Sequence, residues 1–241
     1  MKIGVIGAGA IGKTLARLAR SKGHDVTIAN SRGPKTIASL AEEIGVTAVT
    51  AHQAAMAEDI VVLAIPQKAV LDLSADLFAV KADVSVIVDT GNYYPRARDG
   101  VIAEIESGML DSEWVARQIG QSIVKAFNMI TATDLATGGR ESGTHGRIAI
   151  AVAGDELAAK ARVSTLIDQI GFDPVDTGAL SESWRQQPGT IGYCHGYDAT
   201  RLRAAMAATD PSRIADYRQD SDAFGSELVK IFGSAAAAGA V

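Results

Sequence analysis

Residues 7–12 read GAGAIG, with glycines at the spacing GxGxxG. Bare backbone at that spacing suits phosphate chemistry. Gly7 permits a tight turn, Gly9 lets the backbone approach a pyrophosphate, and Gly12 lets the following helix pack closely on the strand. The exposed N–H groups at the helix start then face the phosphates along the helix dipole. The pattern alone is weak. A strand before it and a helix after it, within a βαβ unit, give it meaning; the rival reading is a glycine-rich turn that binds nothing. Further on stands Asn30-Ser31-Arg32-Gly33-Pro34-Lys35. An NAD-binding unit usually carries Asp or Glu at the end of its second strand, to hold the ribose 2′-hydroxyl. Here no carboxylate would repel a 2′-phosphate. Arg32 can grip one with two parallel hydrogen bonds, Ser31 can donate a third, and Lys35 adds a point charge. The expectation is therefore NADP(H), against the alternative that Arg32 and Lys35 are a solvated surface pair.

In an open α/β sheet the ligand lies outside the carboxyl ends of the strands. That rule adds Ile65-Pro66-Gln67, Asn92 within Thr90–Pro95, and Asn128 within Phe127-Asn128-Met129. Asn92 and Asn128 each carry donors and an acceptor, so either could hold a nicotinamide carboxamide or a second substrate. Their plain reading is as turn residues. No His or Cys pair shows metal spacing, so no metal is expected. There is no GxSxG elbow. Cys194 and His195 are neighbours in sequence, whose side chains usually diverge. His24 is expected on a surface turn, and Trp114 and Trp184 first of all as packing residues, with Trp184 also a candidate for substrate or interface contact.

These residues need elements to position them. Lys2–Ile6, Asp25–Ala29, Ile60–Ile65 and Val84–Val88 are apolar runs of strand length, as in a parallel sheet buried on both faces. Ala10–Lys22 has helical spacing, with Ile11, Leu15 and Leu18 on one face and Gly23 after it. Pro34 opens a second helix, closed by Gly45. Further strands are expected at Ser122–Phe127, Arg147–Ala153 and Phe172–Asp176, and helices from Gly154 to about Gln169, at Ala199–Ala208 and at Asp220–Phe232. The alternation predicts an α/β fold, a Rossmann-type doubly wound parallel sheet with a small carboxyl-terminal cap. The expected division is 1–142 for the dinucleotide-binding domain, 143–232 for a small α+β cap serving substrate or dimerisation, and 233–241 as a flexible tail.

Composition bounds the function. The chain has 241 residues, 47% hydrophobic and 21% charged, the proportions of an ordinary globular protein. A formal charge of −5 argues against nucleic acid or an anionic membrane as main partner. A single cysteine allows no intrachain disulfide, which fits a reducing cytoplasm. With the opening MKIGVIG read as a strand directly after the first residue, no signal peptide is expected, and no apolar run is long enough to span a bilayer. Cytoplasmic localisation is expected.

The motifs GAGAIG, ANSRGP, VLAIP, VKAFN, AVAGD and GFDPVDTG occur in this order. Together they resemble the NADP oxidoreductase, coenzyme-deazaflavin-dependent family, over residues 1 to about 190. Archaeal members move a hydride between NADPH and a deazaflavin. The cytoplasmic domain of STEAP ferrireductases is similar and uses a flavin. YYPRARDG, SEWVARQIG and SESWRQQPGT look like a bacterial branch. The resemblance implies direct transfer between stacked rings, in which the protein orients the rings and excludes water, with no obligatory acid or base. It assigns Ala10, Ile11, Gly12, Ser31, Arg32 and Lys35 to the dinucleotide grip, and Ile65, Pro66 and Gln67 to the loop under ribose and nicotinamide. It places Asn128 near the transfer site, where archaeal members carry another polar residue. The function expected is reduction of a deazaflavin, flavin or other small planar acceptor by NADPH. The alternatives are an imine or carbonyl reductase, since pyrroline-carboxylate reductases share the amino-terminal architecture, and an NADPH-sensing protein without turnover. A homodimer is left open.

Overall fold

The computed structural model describes residues 1–74, 76–78 and 85–232, with side chains as far as residue 223. Val84 and the tail 233–241, on which parts of the sequence reading fell, lie outside the described residues. In chain order the strands are β1 (Lys2–Ile6), β2 (Asp25–Ala29), β3 (Thr47–Ala48), β4 (Ile60–Leu63), β5 (Val86–Asp89), β6 (Ile123–Ala126), β7 (Ala149–Ala153) and β8 (Asp173–Asp176). The helices are α1 (Ala10–Ser21), α2 (Ala38–Ile44), α3 (Ala51–Ala55), α4 (Ala103–Glu106), α5 (Asp111–Ile119), α6 (Ala132–Thr137), α7 (Leu157–Gln169), α8 (Ala199–Ala208) and α9 (Ile214–Phe232).

All eight strands form one sheet, in the order β3-β2-β1-β4-β5-β6-β7-β8. From β3 to β6 the pairing is parallel; β7 runs antiparallel to β6, and β8 parallel to β7. The chain leaves β1 toward β2 on one side and returns to β4 on the other. That switch point opens a crevice outside the carboxyl ends of β1 and β4, where such sheets bind ligands. This is a Rossmann-type α/β fold. The strands β7 and β8, which follow the expected boundary at 142/143, extend the same sheet, and α8 and α9 stand beyond it.

Alternate strand residues serve opposite faces. Val5, Val62, Val88 and Val124 point into a core with Leu15, Ala16, Leu166 and Ile167 of α1 and α7. Ile6, Leu63, Ile87 and Ile123 point into the other, with Ala54, Ile105, Trp114 and Val115 of α3, α4 and α5. A third cluster joins β7 and β8 to α8 through Ala151, Val175, Leu202 and Met206. With both faces covered, the strands read as unbroken apolar runs. Local signals set several helix ends. Thr50 and Gln53 form a capping box at α3. Thr131 caps α6, Asp198 caps α8, and Gly120 closes α5 in the left-handed conformation.

Candidate functional site

The turn after β1 is squeezed between its neighbours. The Gly7 N–H donates to the Ala29 carbonyl at 2.8 Å, and Gly7 has φ +117°, which disfavours a side chain. A Cβ at Gly7 would lie 2.1 Å from the Ala64 oxygen, and one at Gly12 would lie 1.9 Å from the Gly7 oxygen. The protein's own packing thus requires both. A Cβ at Gly9 would meet nothing within 4 Å. Among the described residues nothing asks for glycine there, whereas a phosphate approaching the start of α1 would. Gly9 is the N-cap of α1 and no side chain caps that end, so the first-turn N–H groups of Ala10 and Ile11 remain available.

Beyond β2, Asn30 braces its own loop. Its Oδ1 accepts from the Arg32 N–H at 3.2 Å, and its Nδ2 donates to Thr36 Oγ1 at 2.9 Å. This brace leaves Ser31, Arg32 and Lys35 exposed. Among the described residues their side chains make no hydrogen bond or ion pair, and the loop holds no carboxylate. The charge is set out toward solvent beside the crevice with nothing to satisfy it.

At the carboxyl ends of β4, β5 and β6 the structure gathers Gln67, Asn92 and Asn128. Ile65 and Pro66 are half-buried. Gln67 is buried and donates to the Asp111 carbonyl at 2.8 Å, so its amide group ties the loop to α5 while its Oε1 has no partner. Asn92 and Asn128 interlock. Asn92 Nδ2 donates to the Asn128 carbonyl at 3.0 Å, and Asn128 Nδ2 donates to Asn92 Oδ1 at 3.1 Å and to the Gln186 carbonyl at 2.6 Å. Tyr193 Oη accepts a further bond from Asn92 at 3.0 Å and pairs with the Tyr94 hydroxyl. The buried Asn128 Oδ1 and Gln186 Oε1 have no partner. They are acceptors ready for an N–H donor. Phe127, just before Asn128, has φ +64°, an uncommon conformation for such a residue that aims the loop.

One charged feature of the site escaped sequence reasoning. Asp89 and Lys125 are paired residues on adjacent strands, and Lys125 Nζ donates to Asp89 Oδ2 at 2.8 Å with the lysine side chain 1% exposed. Burial works against the ammonium, but Asp89 and Asp111 outweigh it and hold Lys125 protonated above the ordinary lysine value. The only signal was a charge in an apolar strand run on each of VIVD and IVKA, which says nothing of pairing until the register is known.

Other candidates resolve differently. His24 is buried rather than on a surface turn; its Nε2 meets Gln169 Oε1 at 2.9 Å, and burial lowers its pKa. Burial pushes the Cys194 thiol up to about 11, while His195 stacks on Tyr197 with ring centroids 5.1 Å apart, so these two do not form a nucleophile and base. Trp114 is core. Trp184 carries the Arg185 guanidinium 4.1 Å from its ring and lines a cleft of about 720 Å³ with Pro95, Ile105, Leu110 and Ile214. Among the described residues no helix is long and apolar enough to cross a membrane.

With this geometry in place, comparisons add a family. Residues 2–93 match the profile of the family described as NADP oxidoreductase, coenzyme F420-dependent. The Escherichia coli protein YjhV is 54% identical over 63 residues, 26% of this chain and 46% of YjhV. The Rattus norvegicus metalloreductase STEAP3 is 28% identical over 185 residues, 76% of this chain and 35% of STEAP3. In both cases the matching segment spans less than half of the relative. The crystal structure of the Sinorhizobium meliloti protein SMa0349 superposes with a TM-score of 0.65 at 32% identity, covering 83% of this chain and 94% of that one.

Proposed function

We propose that this chain, whose residues 2–93 match the profile of the NADP oxidoreductase, coenzyme F420-dependent family, is an NADP-dependent oxidoreductase that reduces a deazaflavin, flavin or other small planar acceptor with NADPH. The observation that carries the cofactor is the contrast among the three glycines: two are demanded by packing, and the exposed Gly9 faces open space. The residues fit the group. Gly7, Gly9, Ala10, Ile11 and Gly12 would hold the pyrophosphate on bare backbone and the α1 dipole. Ser31, Arg32 and Lys35 would hold the 2′-phosphate, with no neighbouring carboxylate to oppose it. Ile65 and Pro66 would floor the ribose and nicotinamide, with Gln67 fixing their loop.

When bound, the dinucleotide supplies a hydride. This chain's part is to orient and to exclude water. Asn128 and Gln186, with orphaned buried acceptors, would receive an amide N–H of the nicotinamide or of the acceptor ring, and Asn92 holds Asn128 in place. We read residues 1–142 as the dinucleotide-binding part and 143–232 as the cap, with the protein acting in the cytoplasm on a small molecule.

The test is titration with NADPH and NADH, followed by turnover on a panel of deazaflavins, flavins, imines and ketones. NADPH should bind at least about tenfold more tightly, since charge-assisted contacts to a phosphate contribute roughly 1.5–3 kcal/mol. Arg32→Ala should erase that preference. Equal affinities for the two dinucleotides in the unmutated protein would overturn the cofactor assignment. NADPH binding without turnover of any acceptor would favour a sensor.

A further inference from the structure

We propose that Lys125 and Asp89 are positioning residues that clamp Gly91 and, through it, set the Asn92–Asn128 pair at the nicotinamide end of the site. The proposal rests on the NADPH reading above and deepens it.

The geometry is a closed ring around one residue, Gly91. Asp89 Oδ1 accepts from the Gly91 N–H at 2.8 Å, Asp89 Oδ2 accepts from Lys125 Nζ at 2.8 Å, and Lys125 Nζ donates to the Gly91 carbonyl at 2.5 Å. Both polar groups of Gly91 are therefore held by one ion pair. The clamp leaves no slack: a Cβ on Gly91 would lie 2.9 Å from Asp89 Oδ1 and 3.1 Å from Gln67 Oε1. The next residue is Asn92, whose side chain makes the reciprocal bonds to Asn128. A displacement of Gly91 passes directly into that pair.

A buried ion pair is a poor way to gain stability. Removing two charges from water costs about as much as their attraction returns, and a well-packed apolar pair does as well. Strands β5 and β6 are otherwise apolar and buried at Val86, Ile87, Val88, Ile123, Val124 and Ala126, so an apolar pair would have continued the pattern. What an apolar pair could not do is hold one residue by both its N–H and its carbonyl, fixing the two peptide groups that flank its α-carbon. The placement at the carboxyl ends of the strands, one residue before Asn92, ties that ability to the site.

The experiment compares two ligands on the full chain. The fragment 2′,5′-ADP carries the adenosine and 2′-phosphate but no nicotinamide; NADPH carries both and reports its nicotinamide by fluorescence. The unmutated protein should bind NADPH more tightly than the fragment and change its emission. Lys125→Met should keep fragment affinity within about twofold, weaken NADPH about tenfold, and lose the emission change. Gly91→Ala crowds Asp89 Oδ1 and Gln67 Oε1 and so shifts the same residue while keeping both charges, and should reproduce this split. Should Lys125→Met fail to fold, because it strands the Asp89 charge, Gly91→Ala decides alone. Variants that bind both ligands as the unmutated protein does, or that lose both equally, overturn the clamp. An unmutated protein that binds neither ligand overturns the NADPH reading, and the clamp with it. One that binds the fragment as tightly as NADPH overturns the clamp alone.

Discussion

At the scale of single residues, the second glycine of the fingerprint and Asn128 carry the sharpest consequences. Gly9 lies in ordinary extended backbone with open space over its α-carbon. Gly9→Val should still fold, because an added β-carbon meets no neighbour and a poorer helix cap costs only about 1 kcal/mol, yet lose dinucleotide binding, because the valine fills the path of the pyrophosphate. Retained binding would make the fingerprint a mere turn. Asn128 is more deeply built in than its place after an apolar strand suggests. Its amide donates to both Asn92 and Gln186. Asn128→Ala leaves those two acceptors without a donor and should cost on the order of 1–3 kcal/mol of stability in a denaturant melt. Turnover should fall far more than NADPH affinity, on the order of a hundredfold for an ångström of misplacement. Unchanged turnover would remove Asn128 from the site.

At the scale of elements, His24 shows what packing adds. It stands between α1 and β2 and reaches Gln169 at the end of α7, 145 residues away. Burial makes its charged form costly, so its folded pKa lies below the ordinary value near 6.5. Above that value the folded protein loses nothing; as pH falls below it toward the folded pKa, the unfolded chain takes a proton that the folded one refuses, and stability drops. The melting temperature should fall more steeply between about pH 7 and 5 in the natural protein than in His24→Asn; parallel curves would refute this. The same residue marks where the sequence stops being legible. The strands β1, β2, β4 and β6 and the helices α1, α7 and α8 were readable within a few residues, because apolar runs and periodicity are local. A helix start at His52 was legible, but the two-residue β3 and the short α6 were not, although Thr131-x-x-Asp134 stood in the sequence as a cap. Likewise GAGAIG and the Arg32 loop could be read as chemistry from adjacent residues. The Asp89–Lys125 pair and the Asn92–Asn128 interlock could not, since each depends on the register of β5 against β6 and the loops it sets.

At the scale of the molecule, one sheet carries everything. The family profile covers its first half, from β1 to the loop holding Asn92. Beyond it, the segments around Pro95–Leu110 and Trp184 come together with α9 to wall the cleft of about 720 Å³. The two ends of the sheet matter for what the molecule does in a crowd. One edge is β3, only two residues long. The other is β8, Asp-Pro-Val-Asp, where Pro174 has no N–H to offer and the flanking carboxylates are tied to Arg147 and Lys160. A short edge and a proline-interrupted one are both poor templates for a foreign strand. Among the described residues, both edges of the sheet thus discourage copies of this protein from zipping their sheets into a continuous ribbon, and favour helices and loops as the surfaces through which they would meet.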